Sequence, residues 1–166
     1  MTTSPSAEPV IRTATAQDVT DIHALLLELA IATGTRARMR STPEDLLRDG
    51  FGKQPQFEAL LAVQRNQGVG LALYFYEYST WRGQTGIYLQ DIVVMPDYRG
   101  SGLAQRLMRA TARAGRQHGA GYLRLSVAAQ NEGAIRFYRA LGFELSADER
   151  IFMAKDAAFD QLSGES

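Results

Sequence analysis

Apolar positions along this chain change period several times, and each change marks an element. Val10-Ile11-Arg12 is a short strand-like run. Val19, Ile22, Leu25, Leu26 and Leu29 then recur at helical spacing behind Thr15, an N-cap with Asp18 three residues on. That helix is expected to stop near Ala32, because Thr33-Gly34-Thr35 breaks it. Thr42-Pro43-Glu44-Asp45 opens a second helix, to about Gly50, with a cap, a proline at the first position and acids in the first turn. Residues 57–64 and 69–78 read as two strands of a hairpin around the turn Asn66-Gln67-Gly68. Trp81-Arg82-Gly83-Gln84 leads to a further strand over 87–95.

Helical spacing returns over 102–118, with Leu103, Leu107, Ala110 and Ala114 as the inward face and Arg106, Arg109, Arg113 and Arg116 as a basic stripe. Gly119-Ala120-Gly121 ends that helix. Residues 122–128 alternate as a strand, Asn131 caps a short helix containing Ile135, Phe137 and Tyr138, and Gly142 terminates it. Residues 143–145 and 151–154 read as two final strands around Asp148-Glu149. This order predicts an α+β fold, a mixed sheet with helices on both faces.

Composition narrows the function classes. With 166 residues the chain suits one compact domain, placed at 9–155, with a disordered leader over 1–8 and a C-terminal tail over 156–166. Lys+Arg and Asp+Glu both number 18, so a basic excess for nucleic acid is lacking and no nucleic-acid partner is expected. The cysteine count of 0 rules out a disulfide framework, a thiolate zinc site and a cysteine nucleophile, and fits a reducing cytoplasm. No metal is expected. No apolar run approaches the roughly 20 residues of a membrane span, so no membrane partner is expected either.

Candidate chemistry concentrates in residues 90–104, Gln-Asp-Ile-Val-Val-Met-Pro-Asp-Tyr-Arg-Gly-Ser-Gly-Leu-Ala. A β-branched strand ends in a Pro-Asp turn, a glycine-rich bend follows, and a helix opens. Gly100 and Gly102 allow close backbone approach, and the N–H groups of residues 100–105 lack helical partners, as a diphosphate would require. The pattern differs from the nucleotide P-loop and from the dinucleotide fingerprint. Alone, it favours an ordinary glycine-rich turn before a helix.

Read together with residues 128–143, Ala-Ala-Gln-Asn-Glu-Gly-Ala-Ile-Arg-Phe-Tyr-Arg-Ala-Leu-Gly-Phe, the stretch resembles the acetyl-coenzyme A motif of the GNAT acetyltransferase superfamily. Within it, Val10-Ile11-Arg12, Asp45-Leu46-Leu47, Gly50-Phe51-Gly52, the hairpin ending at Trp81, Asp97-Tyr98-Arg99-Gly100 and Asn131-Glu132 are similar to diamine (spermidine/spermine) and thialysine acetyltransferases. The resemblance implies a mostly antiparallel sheet that splays open and an acetyl-CoA co-substrate. Ile92, Val93 and Val94 would offer backbone groups to the pantetheine arm. Arg99, Gly100, Ser101, Gly102, Leu103, Ala104 and Gln105 would hold the pyrophosphate. Asn131, Glu132, Gly133, Ala134 and Leu141 would line the coenzyme, and Tyr138 would protonate the leaving thiolate. It also implies a homodimer paired through the final strands and helix. By spacing alone, Tyr138 is equally a core aromatic beside Phe137, and Asn131 a plain N-cap.

The acceptor half departs from that subfamily. Its strand glutamate becomes Gln90, which accepts a hydrogen bond but cannot act as a base at neutral pH. Strand alternation is expected to point Asp91 to the opposite face. Glu77 and Tyr76 are substitute bases, although Glu77 also suits a solvated strand end. The subfamily's acidic segment after the first helix becomes Arg36-Ala37-Arg38-Met39-Arg40, and an acid before Trp81 becomes Ser79. A polycation would be repelled there. The expected acceptor is therefore a small primary amine that also bears a carboxylate or phosphonate. Arg36, Arg38 or Arg40 would hold the anion, unless they form a solvated linker or meet coenzyme phosphates. Trp81 is expected to anchor the hairpin corner, with a substrate wall as its other role. A polyamine acetyltransferase, a protein N-acetyltransferase and a coenzyme-binding module without turnover are the competing readings.

Overall fold

The computed structural model describes residues 8–164, and they form two compact units, one through Ser126 and one from Val127. Of the expected leader, only Glu8 lies within the described residues, and residues 165–166 of the tail lie outside them.

The first unit is built on a five-stranded sheet of order β1-β2-β3-β4-β5. The strands are β1 (Val10–Thr13), β2 (Glu58–Gln64), β3 (Gln67–Ser79), β4 (Gln84–Val94) and β5 (Tyr122–Leu125). The pairs β1–β2, β2–β3 and β3–β4 are antiparallel and β4–β5 is parallel. The β2–β3 hairpin turns one step earlier than expected, on Arg65 and Asn66 with φ of 50° and 62°. Two positive φ values in a two-residue loop match the right-handed twist of the strands, and Gln67 and Gly68 are thereby drawn into the ladder.

Helices α1 (Val19–Ala32) and α2 (Pro43–Phe51) cover one face. A short 3-10 turn at Ala16–Asp18 precedes α1, and the Asp18 carboxylate accepts hydrogen bonds from the Thr15 N–H and both guanidinium branches of Arg12 at 2.7 Å. Those contacts hold the Asp18 carboxyl well below the usual carboxylate range. Ile22, Leu25, Leu61, Leu71, Leu73 and Val93 share the core on this face, and sealing each such side chain contributes about 1.5–3 kcal/mol.

Helix α3 (Leu103–Gln117) covers the opposite face. Its inward side is Leu103, Leu107, Met108, Thr111 and Gly115, so Ala110 and Ala114 lie at its margin. Gly115 is required by close approach: an added Cβ would stand 2.0 Å from Ile87 Cδ1 of β4. Arg109, Arg113 and Arg116 form the exposed stripe. Arg106 instead donates to the Pro9 carbonyl at 2.8 Å and pairs with Glu8 at 3.2 Å, pinning the start of β1.

The second unit carries α4 (Glu132–Ala140) and α5 (Ala157–Ser163). The two final strands expected at 143–145 and 151–154 do not form among the described residues, and the expected tail contains a helix. A strand needs a ladder partner for its backbone groups, and these segments have none in their unit. Their apolar side chains stay outside: Leu145, Ile151, Phe152 and Met153 are all exposed.

Candidate active site

Strand β4 carries the geometry that matters. Its pairing with β5 runs only from Gly86↔Tyr122 to Leu89↔Leu125. Beyond Leu89 the strand continues to Val94 with no strand paired on that side among the described residues, so the edge from Gln90 to Val94 is open. On the other side, Leu89 faces Tyr74 and Asp91 faces Leu73. Gln90 therefore has no partner and forms a β-bulge.

The bulge corrects an expectation. Tyr88 stacks on its partner Phe75 (ring centroids 5.1 Å apart), on the face covered by α1, and Leu89 faces Tyr74 on the α3 face. Alternation returns Gln90 to the α1 face and would send Asp91 to the other. The extra residue resets the phase. Asp91 is in register with Leu73, and Leu73 and Val93 belong to the core beneath α1. Gln90 and Asp91 thus share a face. Burial pushes the Asp91 carboxyl up to about 6.

Past Val94, the chain turns through Pro96–Tyr98 into the glycine bend. Gly100 and Gly102 have φ of 74° and 82°, a left-handed region that favours glycine, and an added Cβ at either would meet nothing within 4 Å. Ser101 Oγ donates to the Tyr98 carbonyl at 2.6 Å. The Tyr98 hydroxyl donates to Gln64 of β2. Arg99 donates to the Val94 carbonyl at 3.2 Å and to Glu28 of α1 at 2.9 Å, so its guanidinium ties the bend to strand and helix. Among the described residues, the N–H groups of residues 100–105 have no protein acceptor, and they surround the positive end of a 15-residue helix. Leu103 is buried while Ala104 and Gln105 are half-buried, which fixes the helix start beneath the bend. A diphosphate fits this cradle, because it supplies the acceptors that the backbone donors lack.

Near the other end of the open edge, Arg124 of β5 lies over the Tyr88 ring at 5.1 Å and grips Glu77 of β3 in a two-pronged contact at 2.6 and 2.8 Å. Arg124 holds the Glu77 carboxyl below its ordinary range, so Glu77 is a structural anion and not the solvated strand-end charge. Tyr76 is on the α3 face, where its hydroxyl is bonded to Glu58 and to His118 Nδ1 at 2.9 Å. Burial pushes that phenol up to about 12, so neither residue is placed or poised as a base. Phe75, Tyr88 and Arg124 were not foreseen. An arginine between two leucines in Leu123-Arg124-Leu125 was the available signal.

Arg36, Arg38 and Arg40 lie in and after a 3-10 turn behind α1; all three are exposed, and none makes an ion pair among the described residues. Trp81 is 100% exposed, so it does not anchor the hairpin corner. His23 is bonded to the Ser41 carbonyl.

In the second unit, Asn131 Oδ1 accepts from the Ala134 N–H at 3.1 Å and caps α4. Glu132 pairs with Arg136, and Gly133 presents open backbone, its missing Cβ facing only Asn131 Oδ1 at 3.8 Å. Tyr138 packs its ring on Phe137 and Phe143, at 5.3 and 5.6 Å. Its hydroxyl makes no hydrogen bond among the described residues, and burial pushes the phenol up, which keeps it a donor. Leu141 closes the helix ahead of Gly142.

A sheet whose fourth strand runs with one edge open into a cradle of N–H groups describes a protein suited to an extended, phosphate-bearing ligand. The chain belongs to the acetyltransferase (GNAT) family, whose sequence profile matches residues 21–143. It is 38% identical over 167 residues to the thialysine N-epsilon-acetyltransferase of Bos taurus, covering 94% of this chain and 98% of the relative. It is 28% identical over 143 residues to the aminoalkylphosphonate N-acetyltransferase of Salmonella typhimurium, covering 82% and 85%. The fold matches an aminoglycoside N-acetyltransferase solved in complex with CoA, at a TM-score of 0.73 and 20% identity over 93% of this chain and 99% of that one. The protein is thus an acetyltransferase, and its reaction is acetyl transfer to an amine. No helix among the described residues is long and apolar enough to cross a membrane.

Proposed function

We propose that the protein moves an acetyl group from acetyl-CoA directly to the primary amine of a small molecule that also carries a carboxylate or phosphonate. The observation that carries the donor half is the open β4 edge leading into the empty-fronted glycine cradle. Acetyl-CoA supplies the acyl group already activated as a thioester. Ile92, Val93 and Val94 pair their backbone groups with its extended arm, and residues 99–105 hold its diphosphate. Asn131, Glu132, Gly133, Ala134 and Leu141 line the coenzyme. Tyr138, held protonated by burial, gives its proton to the departing thiolate. Gln90, on the open bulge, accepts a hydrogen bond from the incoming nitrogen and orients it.

The acceptor half rests on charge. Three exposed arginines that make no ion pair among the described residues follow α1 where an anion could reach them. The names of two relatives point the same way, one amine belonging to an amino acid and the other to a phosphonate. Trp81, fully exposed, offers an aromatic wall to whatever approaches that end of the sheet. The apolar run Ile151-Phe152-Met153 lies exposed and gives a second copy of the chain a surface to cover, consistent with a homodimer. The lack of cysteine agrees with a cytoplasmic enzyme.

Thiol release from acetyl-CoA, followed across thialysine, lysine, an aminoalkylphosphonate and spermidine, tests the reading. Turnover is expected with the acidic amines and little with spermidine. Efficient spermidine turnover returns the polyamine reading. Coenzyme binding with no turnover of any amine returns the binding-module reading. Light scattering in solution at micromolar concentration tests the dimer.

A further inference from the structure

The diamine subfamily that the chain resembles has a strand glutamate where this chain has Gln90, yet the ammonium of the acceptor must still lose a proton before its nitrogen can attack. We propose that Asp91 takes this proton, one residue along the strand from that position. The inference rests on the amine-acetylation reading above. What brings Asp91 to the site is the bulge. Without the unpaired Gln90, register would send the carboxylate to the α3 face. With it, Asp91 stands beside Gln90 and in register with Leu73, on the stretch of β4 whose far edge is open.

The surroundings suit a base. The Asp91 carboxylate makes no hydrogen bond and no ion pair among the described residues. None of their buried polar side-chain atoms is both sealed from solvent and without a partner, so its oxygens keep access to solvent or ligand. The charged and titratable side chains of α1, the helix packed on β4 at this face, are occupied elsewhere. Glu28 of α1 pairs with Arg99, Asp21 accepts from the Gly68 N–H, and His23 is bonded to Ser41. On the sheet, Glu77 pairs with Arg124 and the Tyr88 hydroxyl donates to Ser126. Desolvation alone raises the Asp91 carboxyl, to about 6. A carboxylate so placed is ionised at neutral pH and more basic than an ordinary one, which is what proton abstraction requires.

The step balances as follows. An N–H bond of the ammonium breaks, its electron pair stays on nitrogen, and an O–H bond forms on Asp91. The nitrogen pair then forms the C–N bond as the C–S bond breaks, and the thiolate receives the Tyr138 proton. The second proton shed by nitrogen restores Tyr138, and Asp91 releases its own to solvent. One ammonium and one thioester become one amide, one thiol and one free proton.

The test is the pH profile of kcat/KM with thialysine and with an aminoalkylphosphonate as acceptors, for wild type, Asp91→Asn and Gln90→Ala. Wild type should rise through an acid limb near pH 6 to a plateau. Asp91→Asn should lose at least 10²-fold at pH 7. Its residual rate should climb tenfold per pH unit towards the amine's own pKa, where solution supplies the free base. Gln90→Ala should lower the rate and keep the acid limb. Melting curves and coenzyme titration check folding, and Asp91→Ser carries the same expectation should the amide crowd the sheet. An Asp91→Asn enzyme that keeps the wild-type limb overturns the assignment. A wild-type enzyme that turns over neither amine overturns the proposed acceptor class; the same pH series with spermidine then decides whether Asp91 is the base, by the same criterion.

Discussion

The proposed donor and acceptor ends of β4 lie on one strand and follow different logic. From Ile92 to Gln105 the features are backbone features: an open strand edge, two left-handed glycines and a helix start. Such a site depends on a short, fixed set of dihedrals, so its sequence is nearly obligatory. At Gln90, Asp91, Tyr88, Arg124 and the arginines after α1, the features are side chains on a scaffold that tolerates many of them. Backbone sites advertise themselves in sequence, whereas side-chain sites depend on register, and a single unpaired residue changes which side chains meet. The coenzyme can stay constant across a family while acceptors diverge for this reason.

Removing a donor-side proton tests the contrast most strongly. Tyr138→Phe keeps the ring packed on Phe137 and Phe143 and deletes only the hydroxyl, which makes no hydrogen bond among the described residues. We expect kcat to fall about 10²-fold, with the coenzyme Kd changed less than twofold in a fluorescence titration. Equal losses in both would make Tyr138 a packing residue.

Asp91 has a thermodynamic signature independent of catalysis. Its folded carboxyl titrates near 6, above the ordinary value. The native state therefore binds the proton more tightly than the unfolded chain, and stability declines as pH rises from about 4 to about 6 and is level above. Two pH units correspond to about 3 kcal/mol as an upper figure. Asp91→Asn should then be more stable than wild type at pH 7.5 and indistinguishable from it at pH 4, by urea denaturation. A variant less stable at both values would mean that the carboxylate has a partner in solution.

The legible and illegible parts of the molecule divide along the same physical line. Both N-terminal helices could be read from their caps, because Thr15 with Asp18 and Thr42 with Asp45 satisfy local N–H groups without help from the rest of the chain. The Gly100–Gly102 bend was readable for the same reason. Asp91 was assigned to the wrong face because a bulge leaves no mark in a single strand; it exists only in the pairing with Leu73 and Tyr74. Residues 143–145 and 151–154 were read as two strands yet form none among the described residues, since an apolar run states a preference that only a neighbouring strand can satisfy. Trp81 was read as a corner anchor from its type, but it is completely exposed, and at that corner the Arg82 N–H donates to Ser79 Oγ at 3.2 Å. Arg106 was read as the first member of a basic stripe, and its bonds to Pro9 and Glu8 cross most of the sequence of the first unit.

Gly102→Ala probes the cradle itself. A non-glycine residue in the left-handed region costs about 1–2 kcal/mol, and the new methyl would project into the open space where a diphosphate would lie. Coenzyme Kd should rise about tenfold by calorimetry, with a modest drop in melting temperature. An unchanged Kd would move the phosphates off this bend.

Arg36, Arg38 and Arg40 are expected to give the smallest effect and the one that decides most about the acceptor. An exposed ion pair contributes about 0.2–1 kcal/mol, so even two engaged guanidinium groups change affinity only several-fold. Magnitude alone cannot distinguish an anion clamp from a solvated linker, but sign can. If the three hold the acceptor's carboxylate or phosphonate, replacing all of them with Ala should raise KM for an acidic amine about fivefold. The same change should lower KM for spermidine, whose extra charges the arginines repel. Both shifts should shrink as salt rises from 0.05 to 0.5 M. A rise in KM for acetyl-CoA with neither amine affected would assign the arginines to coenzyme phosphates. No change in any KM would leave them as a solvated turn, and the acceptor's anion would then have to find Arg124, whose guanidinium is already committed to Glu77.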